Sequence, residues 1–134
     1  MSAAADAELP AIVGELLAAV AARDAARAAR CFTEEGVYWS CVPRPPYRGR
    51  QAVEQMFARL NGLASRIRWE VSACVIDGGT VWLEHVDRFW IDGRECVMEC
   101  AGVLSIDGPS GLISQIRDYC DMETWLTQLP AQPR

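Results

Sequence analysis

The sequence predicts an α+β fold, with N-terminal helices wrapped over one curved, mostly antiparallel sheet that encloses an apolar pocket. Apolar residues recur at helical spacing in the first half of the chain, whereas after Ser65 they recur at every second residue. Turns of DGG, DGR and DGPSG separate these alternating segments, and such turns are typical of hairpins. With 134 residues, 51% of them hydrophobic and 23% charged, we expect one globular domain over residues 1–134.

Helical spacing predicts four helices. The first spans residues 8–22, and the second begins after Asp24 as N-cap and continues through Phe32. The third spans residues 51–63, and a short helix over residues 121–129 closes the chain. The tail PAQPR is expected to fray.

The strands follow from alternation and from the turns between them. The segment TEEG is expected to turn the chain into a first strand, and the loop VPRPPYRG is expected to lack regular structure because proline has no amide donor. The predicted strands span residues 37–40, 66–76, 80–91, 95–106 and 112–119.

Composition argues against nucleic acid and membranes as partners. The 13 basic and 18 acidic residues give a formal charge of -5, and no basic run is interleaved with aromatic residues. No stretch approaches the roughly 20 apolar residues of a transmembrane helix, and the start MSAAADAELP lacks the features of a signal peptide. We therefore expect a cytoplasmic protein.

The cysteines are expected to be reduced thiols, because no export signal is present and the chain is long enough to form a core without disulfides. The six are Cys31, Cys41, Cys74, Cys96, Cys100 and Cys120. No CxxC pair occurs, and with a single histidine a zinc site would need an unusual ligand set. Neither a metal nor a cofactor is expected.

Two predicted strands each turn a carboxylate toward an apolar side. In VWLEHVDRF, Asp87 shares a face with His85 and apolar residues, and in LISQIRDYC, Asp118 lies on a similar face. Burial of a carboxylate costs several kcal/mol unless it is paired, hydrogen-bonded or protonated, so two of them indicate a site. The alternative is that Asp87 simply pairs with Arg88 or Arg117 at the sheet edge.

Neighbouring polar residues have a structural and a functional interpretation. Taken alone, His85 is most simply a satisfied core residue, and Tyr38 a core residue with its hydroxyl at the rim. Met98 alternates with Cys96 and Cys100 along one face, as core or pocket lining. A nucleophilic cysteine would need an adjacent base, and only His85 could serve.

A family resemblance is carried by FTEEGVYWS, by GRQAVEQMFARL after the proline-rich loop, by LEHVDRF and by AGVLSIDGPSGLISQIRDYCD. Together these segments resemble the limonene-1,2-epoxide hydrolase family, over nearly the whole chain. That family belongs to the wider NTF2-like (SnoaL-like) group of cone-shaped folds, with ketosteroid isomerases, scytalone dehydratases and polyketide cyclases. The resemblance implies a cystatin-like cone with the pocket inside it.

The resemblance also implies roles for the matching residues. Asp87 matches the acid that protonates the epoxide oxygen, Asp118 the base that takes a proton from water, and Tyr38 the tyrosine that helps to hold that water. They would hydrolyse an epoxide in one step, without a covalent intermediate, because two carboxyls in opposite protonation states can act as acid and base.

Two positions depart from the family pattern. His85 stands where the family has an arginine two residues before the acid, and Ser40 where it has an asparagine two residues after the tyrosine. Histidine can bridge two carboxylates with both nitrogens donating only when it is protonated, and flanking carboxylates favour that form. The same groups would also suit an isomerase, cyclase or dehydratase acting beside a carbonyl, or a ligand-binding module without chemistry.

The remaining expectations concern the substrate and the assembly. A small, mostly apolar substrate is expected from the predicted pocket lining, with plain core packing as the alternative for each residue. The predicted lining residues are Leu17, Val20, Leu60, Phe89, Met98, Cys100 and Trp125. Trp82 and Trp90 on the outer face of the sheet make us expect a homodimer.

Overall fold

The computed structural model describes residues 8–130, which contain four helices and six strands. The helices are α1 (Ala11–Ala21), α2 (Ala25–Ala29), α3 (Arg50–Leu63) and α4 (Met122–Gln128). The strands are β1 (Phe32–Trp39), β2 (Tyr47–Arg48), β3 (Arg66–Asp77), β4 (Thr80–Ile91), β5 (Arg94–Ile106) and β6 (Ile113–Cys120). The predicted α+β class is confirmed.

All six strands form one curved sheet in the order β2-β1-β6-β5-β4-β3. Strands β3 to β6 pair as an antiparallel meander, while β1 lies parallel to β6 and antiparallel to β2. Hairpin turns at Gly78 and Gly93 have positive φ angles, which a residue without a Cβ atom adopts without strain. The mostly antiparallel sheet predicted from alternation is therefore confirmed.

The first strand begins earlier than predicted, because TEEG is not a turn. It lies within β1, which advances from Phe32 to Val37 while its partner β6 advances only from Ile113 to Gln115. This bulge places extra residues on β1 without ending the strand, and it masks the period-two pattern in the sequence. The second helix consequently ends at Ala29 rather than continuing through Phe32.

The proline-rich loop also contains more regular structure than expected. Tyr47 and Arg48 follow the prolines, retain their amides and pair with Tyr38 and Val37 of β1. Arg50 at the start of α3 donates through Nε and Nη2 to the carbonyl of Phe32, at 3.1 and 2.6 Å. The loop and α3 are thereby fixed to the strand that carries Tyr38.

The helices cover one face of the sheet and form the core with it. Helix α1 packs against α2 and β3, and α3 packs against α2 and β1. Their buried positions recur at helical spacing, as amphipathic helices require. The buried apolar side chains of α1 and α3 are Val13, Leu16, Ala19, Val20, Val53, Met56 and Phe57.

Residues 131–134, which carry most of the predicted frayed tail, lie outside the described residues. Between residues 8 and 130, no helix is long and apolar enough to cross a bilayer.

Replacement of Asp24 by alanine tests the predicted N-cap of α2. The side chain of Asp24 accepts a hydrogen bond of 3.0 Å from the amide of Arg27, as expected for an N-cap. We expect Asp24→Ala to lower the free energy of unfolding by about 1 kcal/mol, measured by urea titration. Glu54→Ala, at an exposed position of α3, is the control and should change stability less. Equal effects of the two substitutions would contradict the capping role.

Candidate active site

A cavity of about 460 Å³ lies between one face of the sheet, helices α3 and α4, and the proline-rich loop. Most of its wall is apolar: Pro45, Met56, Leu60, Leu63, Trp69, Phe89, Met98, Met122, Trp125 and Leu126. The remaining lining residues carry polar or ionisable groups: Tyr38, Ser40, Arg44, Tyr47, Arg59, Asp87, Cys100, Asp118 and Cys120. The cavity therefore suits a mostly apolar molecule with a few polar atoms.

A buried histidine joins the two candidate carboxylates of this cavity. His85 Nδ1 lies 2.6 Å from Asp87 Oδ1, and its Nε2 lies 3.2 Å from Asp118 Oδ1. The residues are only 6%, 6% and 2% exposed, respectively. The hydroxyl of Tyr38 donates to the second oxygen of Asp118, Oδ2, at 3.0 Å. The thiol of Cys100 donates a weak bond of 3.8 Å to the second oxygen of Asp87.

Gly102 makes the contact between His85 and Asp118 sterically possible. It lies on β5, paired with Asp118 of β6 on one side and with Leu83 of β4 on the other. A Cβ atom at this position would lie 2.5 Å from Asp118 Oδ1 and 3.3 Å from His85 Nε2. Our sequence analysis missed this residue, although a glycine inside a strand can signal such a close approach.

The two carboxylates determine the protonation of His85. Burial on its own would lower the pKa of this imidazole, but the hydrogen bonds to Asp118 and Asp87 and their charges raise it to about 10. His85 is therefore a cation at neutral pH, with one N–H group directed to each carboxylate. The protonated ring is the form in which both nitrogens of a histidine can donate at once.

Burial also changes the acids around the histidine. It raises the pKa of Asp87, an effect opposed by the hydrogen bond and charge of His85. Burial and the nearby charge of Asp118 raise the pKa of Tyr38, which keeps its phenol proton for donation. The site therefore combines a carboxyl group that is easier to protonate with a phenol that stays neutral.

The structure places most predicted site residues at one cavity. Tyr38, Ser40, Asp87 and Asp118 line it, while His85 connects the two acids beneath the wall. Five of the predicted lining residues also lie on its wall: Leu60, Phe89, Met98, Cys100 and Trp125.

Leu17 and Val20 do not line the cavity. Both belong to α1, where Val20 is buried in the core and Leu17 packs against that core. Helical spacing identifies a buried face, but it does not distinguish core from cavity wall, since both require apolar side chains. These two predicted lining residues are therefore corrected to core residues.

The two arginines that could have paired with Asp87 do not contact it. Arg88 donates to Glu70 at 3.2 Å and to Glu95 at 2.8 Å on the opposite face of the sheet. The Nε atom of Arg117 is buried without a hydrogen-bond partner. Neither arginine pairs with Asp87, whose ionic partner is His85.

Other residues near the cavity were not singled out from the sequence. Trp69 of β3 lies opposite Asp87 in the strand register, and its ring centroid is 6.3 Å from that of His85 and 6.5 Å from that of Tyr38. Arg44 and Arg59 add positive charge to the wall. The sequence offers no signal for the two arginines, because Arg44 lies in the proline-rich loop and Arg59 on α3, and only the fold brings these segments to the same cavity.

Among the described residues, His85, Asp87 and Cys100 are the group whose potential ligand atoms lie close enough to hold a metal, within 4.8 Å of one another. Metal binding would require a neutral imidazole and a thiolate. Although burial lowers the pKa of His85, its hydrogen bonds to Asp118 and Asp87 raise that pKa overall, and contact with Cys120 together with burial raises the pKa of Cys100. The donor set therefore favours protons over a metal ion.

Replacement of Gly102 by alanine should disrupt the site. The added methyl group cannot fit between Asp118 and His85, so we expect a loss of stability and a weakened His85–Asp118 contact. The measurements are thermal unfolding and the imidazole proton signals in NMR spectra. The control is Gly14→Ala, in open space on α1, which should be neutral or stabilising because alanine favours helices. Unchanged imidazole signals in Gly102→Ala would contradict this role.

The raised pKa of His85 makes stability depend on pH. Because the pKa is 6.5 for an ordinary histidine and about 10 in the folded protein, the stabilisation is complete below 6.5 and is lost as pH rises toward 10. We expect the Tm of the wild type to fall across this range. The same decline should be shallower in His85→Gln, since glutamine does not titrate, and parallel curves would contradict the charged bridge.

A known protein family and several solved structures are similar to this chain. A family model of the SnoaL-like domain matches residues 13–116. A protein of ketosteroid isomerase-like fold from Catenulispora acidiphila, solved in complex with trimethylamine, is 22% identical, with a TM-score of 0.82 and coverage of 94% of this chain and 100% of that one. An LEH-like epoxide hydrolase from M. tuberculosis is 21% identical, with a TM-score of 0.75 and coverage of 88% and 86%.

A further similar structure is that of an enzyme that resembles both epoxide hydrolases and cyclases. The epoxide hydrolase/cyclase-like enzyme SalBIII, of pyran ring formation in the polyether salinomycin, is 21% identical, with a TM-score of 0.74 and coverage of 84% of this chain and 90% of that one. At these identities the structural likenesses show the fold alone. Because the family model spans more than half of the sequence, this protein belongs to the SnoaL-like family.

Proposed function

We propose that the protein is a cofactor-independent hydrolase that adds water to an apolar epoxide in one step. The observation that carries the proposal is the His85 imidazole, which contacts Asp87 and Asp118 at once beside a mostly apolar cavity. Opening an epoxide requires a proton for the leaving oxygen and an activated nucleophile at the same time, and this pair of acids can supply both.

Asp118 is the proposed base. Its two oxygens accept hydrogen bonds from His85 and Tyr38, so its negative charge is stabilised while it lines the cavity. A carboxylate held in this way can take a proton from water as the water oxygen attacks an epoxide carbon. Ser40 lines the same cavity and is proposed to orient that water through its hydroxyl group.

Asp87 is the proposed acid. Burial raises its pKa, and its Oδ1 accepts a hydrogen bond from His85. Its Oδ2, which has only the weak 3.8 Å contact with the Cys100 thiol, is therefore the oxygen proposed to carry the proton. In the proposed step the proton on Oδ2 passes to the epoxide oxygen as the carbon–oxygen bond breaks. Asp87 is then the carboxylate and Asp118 the carboxylic acid.

The imidazolium of His85 balances this movement of charge. Before the reaction the negative charge lies on Asp118, and after it on Asp87, yet His85 donates a hydrogen bond to each. The cation therefore stabilises both ends of the reaction, and the sum of the charges in the site does not change. Stabilisation by groups that need no rearrangement is an effective form of electrostatic catalysis.

A carbonyl-directed isomerase or cyclase is the second candidate, since the names of the structural neighbours include both classes. The same residues would serve it: Asp118 would remove a proton from carbon, and Asp87 would donate one to the carbonyl oxygen. The two reactions differ in the fate of water. Hydrolysis incorporates its oxygen into the product, whereas isomerisation leaves the mass unchanged.

A screen of terpene-like, cyclic and aryl epoxides, with products resolved by mass spectrometry, tests the proposal. In water enriched in heavy oxygen, we expect a diol that carries one labelled oxygen. Asp118→Asn and Asp87→Asn should each reduce kcat by about a hundredfold to ten-thousandfold, the usual contribution of acid–base catalysis. Full turnover of every accepted epoxide in either variant would refute the assigned roles.

Asp92→Asn is the matched control for these two substitutions. Asp92 lies on an exposed hairpin turn with φ 50°, a conformation that asparagine tolerates, and it should leave kcat unchanged. A ketone product of unchanged mass that takes up deuterium from the buffer would instead support the isomerase. A ligand that binds tightly and is recovered unchanged after long incubation would support a binding module.

A further inference from the structure

Two arginines of the cavity wall have no carboxylate partner in the described part of the chain, and the proposed hydrolysis does not use them. Arg44 of the proline-rich loop and Arg59 of α3 line the cavity and are exposed, so they lie at its mouth. The arginine ion pairs within residues 8–130 belong instead to Arg27, Arg68 and Arg88. The two guanidinium groups at the mouth are therefore available to a ligand.

Arg59 lies on the apolar face of α3 that borders the cavity. Met56, Leu60 and Leu63 line the cavity from the same helix, and Arg59 lies among them at the same three- and four-residue spacing. Its guanidinium carbon lies 5.5 Å from the centre of the Tyr47 ring, which also lines the cavity. This cation–π contact orients the guanidinium group and leaves the N–H groups at its edge able to donate.

Strand pairing places this cation near the acid–base group. Tyr47 of β2 pairs with Tyr38 of β1, so the two side chains lie on the same face of the sheet. The hydroxyl of Tyr38 in turn donates to Asp118. The part of the mouth that holds Arg59 thus adjoins the part of the cavity that holds Asp118.

Arg44 is carried by an ordered part of the loop. It lies between Pro43 and Pro45, whose rings restrict the backbone, and its own amide donates to the carbonyl of Cys41 at 2.8 Å. A backbone that is already ordered loses little conformational freedom when its side chain binds a ligand. Arg44 therefore adds a second cation to the mouth at a low entropic cost.

The mouth combines these cations with exposed apolar surface. Leu63 and Leu126 line the cavity and are 46% and 50% exposed, and a ligand with an apolar body would remove that surface from water. Deeper in the cavity, the cation of His85 offsets the charge of Asp118. The chain as a whole has a formal charge of -5, so two unpaired cations at one cavity mouth are a local exception that favours an anion.

We propose that the mouth binds the carboxylate of an apolar ligand whose body occupies the cavity. Arg44 and Arg59 donate to the carboxylate oxygens, which match the planar N–H groups of guanidinium. The ligand is therefore amphiphilic, with its charged end at the solvent. If the proposed hydrolysis is correct, on which this last statement rests, the substrate is an epoxide that carries a carboxylate remote from the ring.

Two probes of matched shape test the binding site without any reaction. Phenylbutyrate and phenylbutanol share an apolar body, but only the first has a carboxylate. In NMR titrations of the isotope-labelled protein, both should shift the indole signals of Trp69 and Trp125, which line the cavity. We expect phenylbutyrate to bind about tenfold more tightly, as two exposed ion pairs would allow, and added salt should reduce this preference.

Substitution of single arginines locates the charge. Arg44→Gln and Arg59→Gln should each weaken phenylbutyrate binding by about threefold and leave phenylbutanol binding unchanged. The control is Arg48→Gln, which changes the net charge equally. Arg48 follows Tyr47 on β2, but it does not line the cavity, and its guanidinium carbon lies 6.0 Å from the centre of the Trp39 ring. Thermal unfolding shows whether each variant is folded.

Two results would overturn the proposal: phenylbutyrate that binds no more tightly than phenylbutanol, or a loss of phenylbutyrate affinity in Arg48→Gln equal to that in Arg59→Gln. Neither probe contains an epoxide, so both results are independent of the assay that concerns Asp87 and Asp118. A protein without hydrolase activity could still prefer phenylbutyrate, and an active hydrolase could lack that preference. The two proposals can therefore fail separately.

The substrate class has its own test in a protein that hydrolyses epoxides. An epoxide that carries a carboxylate should have a lower KM than its methyl ester, because only the acid gains the contacts at the mouth. Arg59→Gln should raise the KM of the acid and leave its kcat unchanged, since the contact is the same before and during the reaction. Equal KM values for the acid and the ester would contradict the assigned substrate class.

Discussion

The imidazole of His85 is the interaction on which the site depends. Without it, Asp87 and Asp118 would be two carboxylates buried in one small cavity, a costly arrangement because each charge loses its water and repels the other. The protonated ring satisfies an oxygen of each acid through its two N–H groups, at 2.6 and 3.2 Å. The same contacts that stabilise the acids also raise the pKa of His85, so charge and geometry support one another.

The sheet holds these groups in place by register rather than by sequence proximity. Asp87 and His85 share one face of β4, and Asp118 reaches His85 from β6 across the intervening strand β5. Only a glycine at position 102 of β5 leaves room for that reach. Tyr38 arrives from the other side, because β1 lies parallel to β6 and pairs Tyr38 with Ile116. The acid–base group thus depends on four adjacent strands.

The cavity combines an apolar wall with a small group of ionisable side chains. Hydrogen bonds place Asp87, His85 and Tyr38 together with Asp118 on one part of the wall. Most of the remaining wall is apolar. A hydrogen bond in such surroundings is screened less than it would be in water, so each contact to the two acids has a larger electrostatic effect.

The sequence by itself determined the features that repeat with a fixed local period. Alternation predicted the four strands of the meander and showed that Asp87 and His85 share a face, and the N-cap position of Asp24 followed from its local chemistry. Local pattern failed at the bulge of β1, where extra residues interrupt the alternation. It also failed for Leu17 and Val20, because an apolar helix face that packs in the core has the same pattern as one that lines a cavity.

Only the tertiary structure decided which residues meet across strands. Strand register placed Gly102 between His85 and Asp118, set Cys100 opposite Cys120 and directed Arg88 to glutamates instead of to Asp87. These contacts join positions that are far apart in the chain, and a shift of one residue in register would turn each side chain to the opposite face. Periodicity specifies the face of a strand, but the distance between two side chains is fixed by the pairing of whole strands.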